Sequence, residues 1–189
     1  MNIQQKTEKN KTYRKIYVAC LSSYNSGVLH GEWITLLDDQ LIWDTNIEDY
    51  IQKEIDKMLK SSKMPFAEEW AIHDYDDFIN LGEYPSIEEI SNYAYAIERH
   101  GYEVVKGFKE MYPSEDISSL DDRTYHTDYA KFQDYADNYA DEVVLSEYDS
   151  NSTISNYFDY EKFAHDLKHD YSVYETDDHD VIIFEDFYA

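Results

Sequence analysis

Apolar residues recur along this chain with different spacings, and each spacing predicts a different element. Between Lys15 and Leu21, and again between Glu32 and Leu37, β-branched and aromatic residues fill short runs separated by a turn at Asn25-Ser26-Gly27, the pattern of paired strands. Ile47, Ile51, Ile55, Met58 and Leu59 then recur at helical spacing, which predicts a helix capped by Asn46 and facing that sheet. Ser61 to Pro65 breaks the helix, and Glu69 to His73 returns as a third strand. Residues 13–73 therefore read as a ββαβ module, a small sheet covered by one helix.

Gly82 to Pro85 marks the next boundary. Ser86 and Glu89 form a capping box that starts a helix running to His100, where Gly101 ends it. A second helix follows from Glu103 to Tyr112, with Val104, Val105, Phe108 and either Met111 or Tyr112 inward, and Pro113 terminates it. Two short helices have little core of their own, so this central helical module, residues 74–113, must lean on its neighbours or on a turn from Asp74 to Leu81.

From Ser114 onward the apolar stripes narrow and acid surrounds them. Phe132, Ala136, Tyr139, Ala140 and Val143 make one helical stripe, leaving Asp134, Asp137 and Asp141 as an outward ridge. Tyr160, Phe163, Ala164 and Leu167 make another, opened by Asp159 as N-cap and showing Glu161, Lys162, His165 and Asp166 to water. Tyr171 to Glu175 and Val181 to Phe184 read as a β-hairpin around Asp177-Asp178-His179-Asp180. Residues 1–12 are polar and without periodicity, a flexible tail. The predicted fold class is α+β: three small modules in series, with the C-terminal helices and hairpin over residues 114–189.

Charge changes the picture most in that last module. The 189 residues hold 41 acids against 16 bases, a net charge of −25. The nets are +2 for residues 1–12, −4 for 13–70, −6 for 71–113 and −17 for 114–189. Such a balance weakens a compact fold by self-repulsion and repels nucleic acid and anionic membranes, so a macromolecular partner is expected to be basic. A hydrophobic content of 42% is nonetheless enough for a folded core. The twenty tyrosines suit small cores whose rings are buried while their hydroxyls reach water. Along a helix the Asp134, Asp137 and Asp141 carboxylates sit roughly 5 to 6 Å apart. Duplex DNA carries one charge per about 1.7 Å of axis, so two or three such ridges side by side approach its charge density.

Candidate chemistry narrows quickly. Cys20 is the only cysteine, which excludes an intrachain disulfide and a cysteine-based metal cluster and fits a reducing compartment. Asp149, Asn151 and Thr153 imitate the first ligands of a calcium loop, but Ile154 replaces its glycine and Tyr160 its closing glutamate. His165 and His169 are spaced as a metal pair, yet the segment lacks the glutamate of a zinc-protease helix and a further ligand. Paired acids such as Asp76-Asp77, Glu88-Glu89 and Asp121-Asp122 are expected by chance in so acidic a chain. No Gly-rich phosphate loop or nucleophile motif is present, so the expectation is a protein that is not an enzyme and takes no cofactor and no metal. No apolar run approaches a membrane span, and a soluble, cytoplasmic protein without membrane or nucleic-acid partners is expected.

Three segments in order resemble the ArdA family of antirestriction proteins. Residues 157–167, YFDYEKFAHDL, are similar to the family's YFDYEAFARDL; IYVACLSSYNSGVLHGEW at 16–33 and EEWAIHDYDDF at 68–78 follow the same pattern at similar separation. His165 stands where the family usually has arginine, which removes a fixed positive charge. The resemblance implies an elongated DNA mimic that occupies type I restriction-modification enzymes through their specificity and modification subunits, and a homodimer paired through the C-terminal end. On that reading the partner-facing carboxylates are Asp134, Asp137, Asp141, Glu142, Glu147, Asp149, Asp159 and Asp166, and the dimer surface is Val143, Val144, Leu145 and Tyr148. The rivals are an acidic module for another basic nucleic-acid-binding protein, and a metal-dependent enzyme using clustered acids.

Overall fold

A computed structural model describes residues 13–36 and 46–186; the N-terminal tail and Leu37, the expected end of the second strand, lie outside the described residues. The chain divides into two compact units, one through Tyr102 and one from Glu103. The two helices read as a central pair thus fall largely one in each unit.

The first unit begins with strand β1 (Lys15–Cys20), followed by a one-turn helix α1 (Leu21–Asn25) and strand β2 (Gly31–Thr35). The predicted turn at Asn25 to Gly27 survives as the exit from α1, where Gly27 takes φ 74°. Helix α2 (Ile47–Lys60) and strand β3 (Trp70–Asp76) complete the expected ββαβ order. The sheet order is β2-β1-β3, antiparallel throughout. As the middle strand, β1 buries Ile16, Val18, Ala19 and Cys20, and Ile47, Ile51, Ile55 and Met58 form the buried stripe of α2. Asn46 caps α2 by accepting from the Glu48 and Asp49 amides at 2.9 and 3.4 Å.

Opposite β1, a register shift between Tyr17 and Val18 pairs Tyr17 with Asp74 and Val18 with Ile72, so His73 is the extra residue of a bulge and points to solvent. Beyond β3 the chain folds back: the Ile72 amide donates to the Glu83 carbonyl at 2.9 Å, and Phe78 and Ile79 are buried. Helix α3 (Ile87–His100) starts where predicted, with Ser86 Oγ accepting from the Glu89 amide at 3.0 Å, and ends at Gly101 with φ 89°.

The second unit opens with helix α4 (Tyr102–Met111) and has a sheet of order β4-β6-β5, formed by β4 (Tyr125–Tyr129), β5 (Tyr171–Glu175) and β6 (Val181–Glu185). The predicted hairpin is the β5–β6 pair, closed by the Thr176 amide donating to the Asp180 carbonyl at 2.9 Å. Strand β4 and a 3-10 turn at Ile117–Asp122 escaped the sequence reading. The β4 sequence YHTDY has polar residues at its centre and only half-buried rings at its ends, so it lacks an apolar run to read.

Central strand β6 is apolar at four successive positions because both its faces are covered. Val181 and Ile183 pack with Phe132, Tyr135, Ala136 and Ala164 from helices α5 (Phe132–Tyr139) and α7 (Tyr160–Leu167). Phe184 meets Phe108 of α4 with rings 6.2 Å apart. Close approach of α4 to β5 depends on Gly107, whose added Cβ would stand 2.7 Å from the Tyr174 ring. A short helix α6 (Thr153–Asn156) precedes α7.

Two packing expectations are corrected. Past Tyr139 the helix continues over Ala140–Val144 as a π turn, with the Leu145 amide reaching the Ala140 carbonyl at 2.8 Å. The wider turn rotates the face: Val143, expected inward, is 55% exposed, and Leu145 takes the inward place at 6%. In α7 only Ala164 is fully buried, and Tyr160, Phe163 and Leu167 are half-buried.

Candidate partner-binding surface

The predicted carboxylates lie on the second unit, whose residues 103–189 carry 23 acids and 6 bases, a net of −17. Arg123 and Lys106 are both bound to carboxylates within the unit. The Arg123 guanidinium grips both Glu115 oxygens at 2.9 Å, reaches Asp186 at 3.3 Å and lies 3.9 Å above the Tyr112 ring. Asp186 also accepts from the Ser172 and Tyr112 hydroxyls. Burial, and that bond to the carboxylate, push the Tyr112 phenol up to about 12. Sequence reasoning missed this node; its only signal was a lone arginine after Asp121-Asp122. Lys106 donates to Asp177 at 2.9 Å, and that bond raises its ammonium above the usual lysine range.

Helix α5 and the π turn place four of the eight expected carboxylates, and α7 organises two of them. Gln133 Nε2 donates to Asp137 at 2.7 Å and to the Tyr160 carbonyl at 3.2 Å, while the Tyr160 hydroxyl donates to Asp141. Asp137 and Asp141 thus line the seam where α5 meets α7, on either side of Tyr160, and hydrogen bonding to Asp141 raises the Tyr160 phenol. Asp134 stands exposed in the first turn of α5. Glu142 accepts from Asn138 Nδ2 at 3.3 Å on the exposed side.

The remaining four are carried by other segments. Glu147 is exposed in the loop after Leu145, and Asp149 closes a local turn by accepting from the Asn151 amide at 2.9 Å. Asp159 caps α7 by accepting from the Lys162 amide at 3.0 Å, and Asp166 lies 3.3 Å from His165 Nδ1. Asp149 through Thr153 therefore form a self-satisfied turn and helix start. The rings of His165 and His169 meet edge to face at 5.6 Å. Among the described residues no group of three or more His, Cys, Asp or Glu is arranged to hold a metal ion.

The position of Asp141 and Glu142 is costly to the fold. They sit near the C-terminal end of the continuous helical run from Phe132 to Val144, which has no basic residue in its last turn. A carboxylate there opposes the helix dipole by about 0.3–1 kcal/mol. Of the expected dimer residues, Val143, Val144 and Tyr148 are exposed, whereas Leu145 is packed inside its own chain.

No helix among the described residues is long and apolar enough to cross a membrane. Residues 16–181 match the family model described as antirestriction protein (ArdA). Comparison with curated proteins finds no match.

Proposed function

This chain belongs to the ArdA family of antirestriction proteins, and from that premise we propose that it inhibits type I restriction-modification enzymes in the cytoplasm by DNA mimicry. Its second unit occupies the basic cleft of the specificity and modification subunits, with Asp134, Asp137, Asp141, Glu142, Glu147, Asp149, Asp159 and Asp166 standing in for backbone phosphates. The observation that carries this reading is the carboxylate pair Asp141 and Glu142, kept near a helix C-terminus where it opposes the fold's own electrostatics. Exposed Val143, Val144 and Tyr148 are proposed to pair two copies through the C-terminal end, which doubles the acidic surface and gives it two-fold symmetry. No reaction is assigned to the chain; its action is occupancy.

Plating unmodified phage on hosts with and without a type I system, each with and without this protein, tests the reading. Restoration of plaques only where the system is present supports it. Purified enzyme should then release the inhibitor when duplex DNA is added. Binding that added DNA leaves unchanged overturns mimicry. Capture of a different basic DNA-binding protein, with restriction unaffected, would favour the acidic-module rival.

A further inference from the structure

The first sheet carries an aromatic row on the face opposite its buried one. Tyr17 lies between fully buried Ile16 and Val18, so its side chain points to the other face of β1. It pairs with Trp33 of β2 on one side and Asp74 of β3 on the other. Directly paired residues share a face, so the three side chains stand in a row across strands about 4.8 Å apart. The Trp33 and Tyr17 rings are 5.4 Å apart and tilted by 57°, two walls of an aromatic corner. Tyr17 leans onto β2, where only glycine leaves room: a Cβ on Gly31 would stand 2.7 Å from the ring's Cζ and hydroxyl oxygen. Trp33 is nonetheless 44% exposed. Asp74 is exposed beside them, one oxygen accepting from the Tyr75 amide at 2.9 Å, and among the described residues no cation pairs with it. In the next row Lys15 lies 4.0 Å from Asp76, so that row's charges offset each other and Asp74 sets the local balance. The bulge residue His73 carries the Tyr24 ring edge-on at 4.8 Å.

We infer that this row seats an arginine of the partner, its guanidinium against the Trp33 and Tyr17 rings and its N–H edge donating to Asp74. That the arginine belongs to a restriction-modification enzyme rests on the function proposed above. Aromatic faces are negative and attract a cation. An apolar side chain would strip water from Asp74 without supplying a donor. A nucleobase would stack on the same rings, but its phosphates would meet Asp74 and a chain of net −25. Lysine brings a point charge, whereas the planar guanidinium stacks on a ring and hydrogen-bonds in its own plane at once. A second copy is a poor source of the arginine. Arg14 and Arg123 already lie over Tyr102 and Tyr112 of their own chain, and Arg99, its remaining arginine, is also engaged. The first unit thereby adds a discrete contact to the summed field of the second.

The test has two arms, both on full-length protein. In the first, N-acetylarginine amide, N-acetyllysine amide and N-acetylnorleucine amide are titrated while nuclear magnetic resonance follows the Trp33 indole signal, identified by its loss in Trp33→Phe. Expected is a saturable shift with the arginine probe that Asp74→Asn weakens severalfold. An equal or larger response to the lysine probe overturns arginine as the occupant, an equal response to norleucine reduces the corner to an apolar patch, and no saturable response overturns the site. In the second arm, Trp33→Leu, Asp74→Asn and the pair combined are titrated against purified type I restriction-modification enzyme. Each single change should weaken Kd about fivefold and the pair no more than about tenfold, because both act on one arginine, while Trp33→Phe should keep most of the affinity. Circular dichroism checks each fold; should Trp33→Leu unfold, Asp74→Asn, exposed and still able to accept from the Tyr75 amide, carries the result. Losses that multiply, or a Kd within about twofold of the parent for every variant, overturn the shared arginine while leaving mimicry standing. Response to the arginine probe by a protein that fails to bind the enzyme overturns the proposed function and the arginine's owner, and supports the site.

Discussion

The two units solve the same architectural problem and differ in the charge left at the end of one helix. Each is a three-stranded antiparallel sheet with helices packed against it. In the first, helices obey the dipole: α2 has Glu48 and Asp49 in its first turn and Lys57 and Lys60 in its last, and α3 has Glu88 and Glu89 first and Arg99 and His100 last. In the second, α4 and α7 also begin with acid, Glu103 and Glu161, and end with Lys109 and His165, but the run from α5 through the π turn ends in Asp141 and Glu142 with no base. The cores differ accordingly. The first is built largely from aliphatic residues such as Ile16, Ile34, Ile51 and Ile55, whereas the second clusters Phe132, Tyr135, Tyr139 and Tyr171. A tyrosine can bury its ring and still bond a carboxylate, as Tyr160 does Asp141 and Tyr112 does Asp186. Dense acid is compatible with a small core when the core residues themselves supply donors.

Alkali should separate the units most strongly. Tyr112, Tyr125, Tyr135, Tyr160, Tyr171 and Tyr174 of the second unit all have raised phenols, against Tyr75, pushed up to about 12 by burial, in the first. A raised phenol means the folded state holds its proton longer than the unfolded chain. Its stabilising contribution is therefore full below the unfolded value, about 10, and is lost as pH rises through the folded one. Near-ultraviolet circular dichroism should show the tyrosine-rich second unit losing its signal before peptide fragments of the first lose hydrogen-exchange protection. Simultaneous loss would break the distinction.

Next in size is Arg123→Ala. It strips a partly buried guanidinium from Glu115 and Asp186 and should destabilise the second unit by about 3 kcal/mol, read by thermal or urea melting. A cost below about 1 kcal/mol would mean water already screens the node. Reversal of Asp134, Asp137 and Asp141 together to lysine should weaken enzyme binding about a hundredfold, and each alone less than tenfold, because a phosphate-like array acts through its summed field. The matching reversal of Glu88 and Glu89 in the first unit should cost less; equal losses would erase the difference in role.

The smallest effect is the most specific. Asp141→Asn with Glu142→Gln keeps an acceptor for the Tyr160 hydroxyl while relieving the dipole conflict. The pair should gain about 0.5–1 kcal/mol in stability yet inhibit less well. A variant that is both more stable and fully inhibitory would show that these acids are not held for binding.

Where a residue's role is decided within a few positions, it was legible in the sequence. Asn46, Ser86 and Asp159 cap the helices they were expected to cap, because capping needs only a side-chain oxygen two or three residues before an amide. The α2 stripe, the β5–β6 hairpin, the regional charge and the family resemblance were likewise available from order and spacing. What depends on distant partners was not. Strand β4 exists because β6 offers it an edge, and Arg123 matters because residues 62 and 63 positions away close around it. The π turn inverted Val143 and Leu145 because one amide chose the fifth carbonyl back instead of the fourth. Leu29 and Phe66 are apolar yet exposed. The bonds that fix such placements join distant segments: Leu21 to Glu69 and Ser22 to Phe66 lie more than forty positions apart.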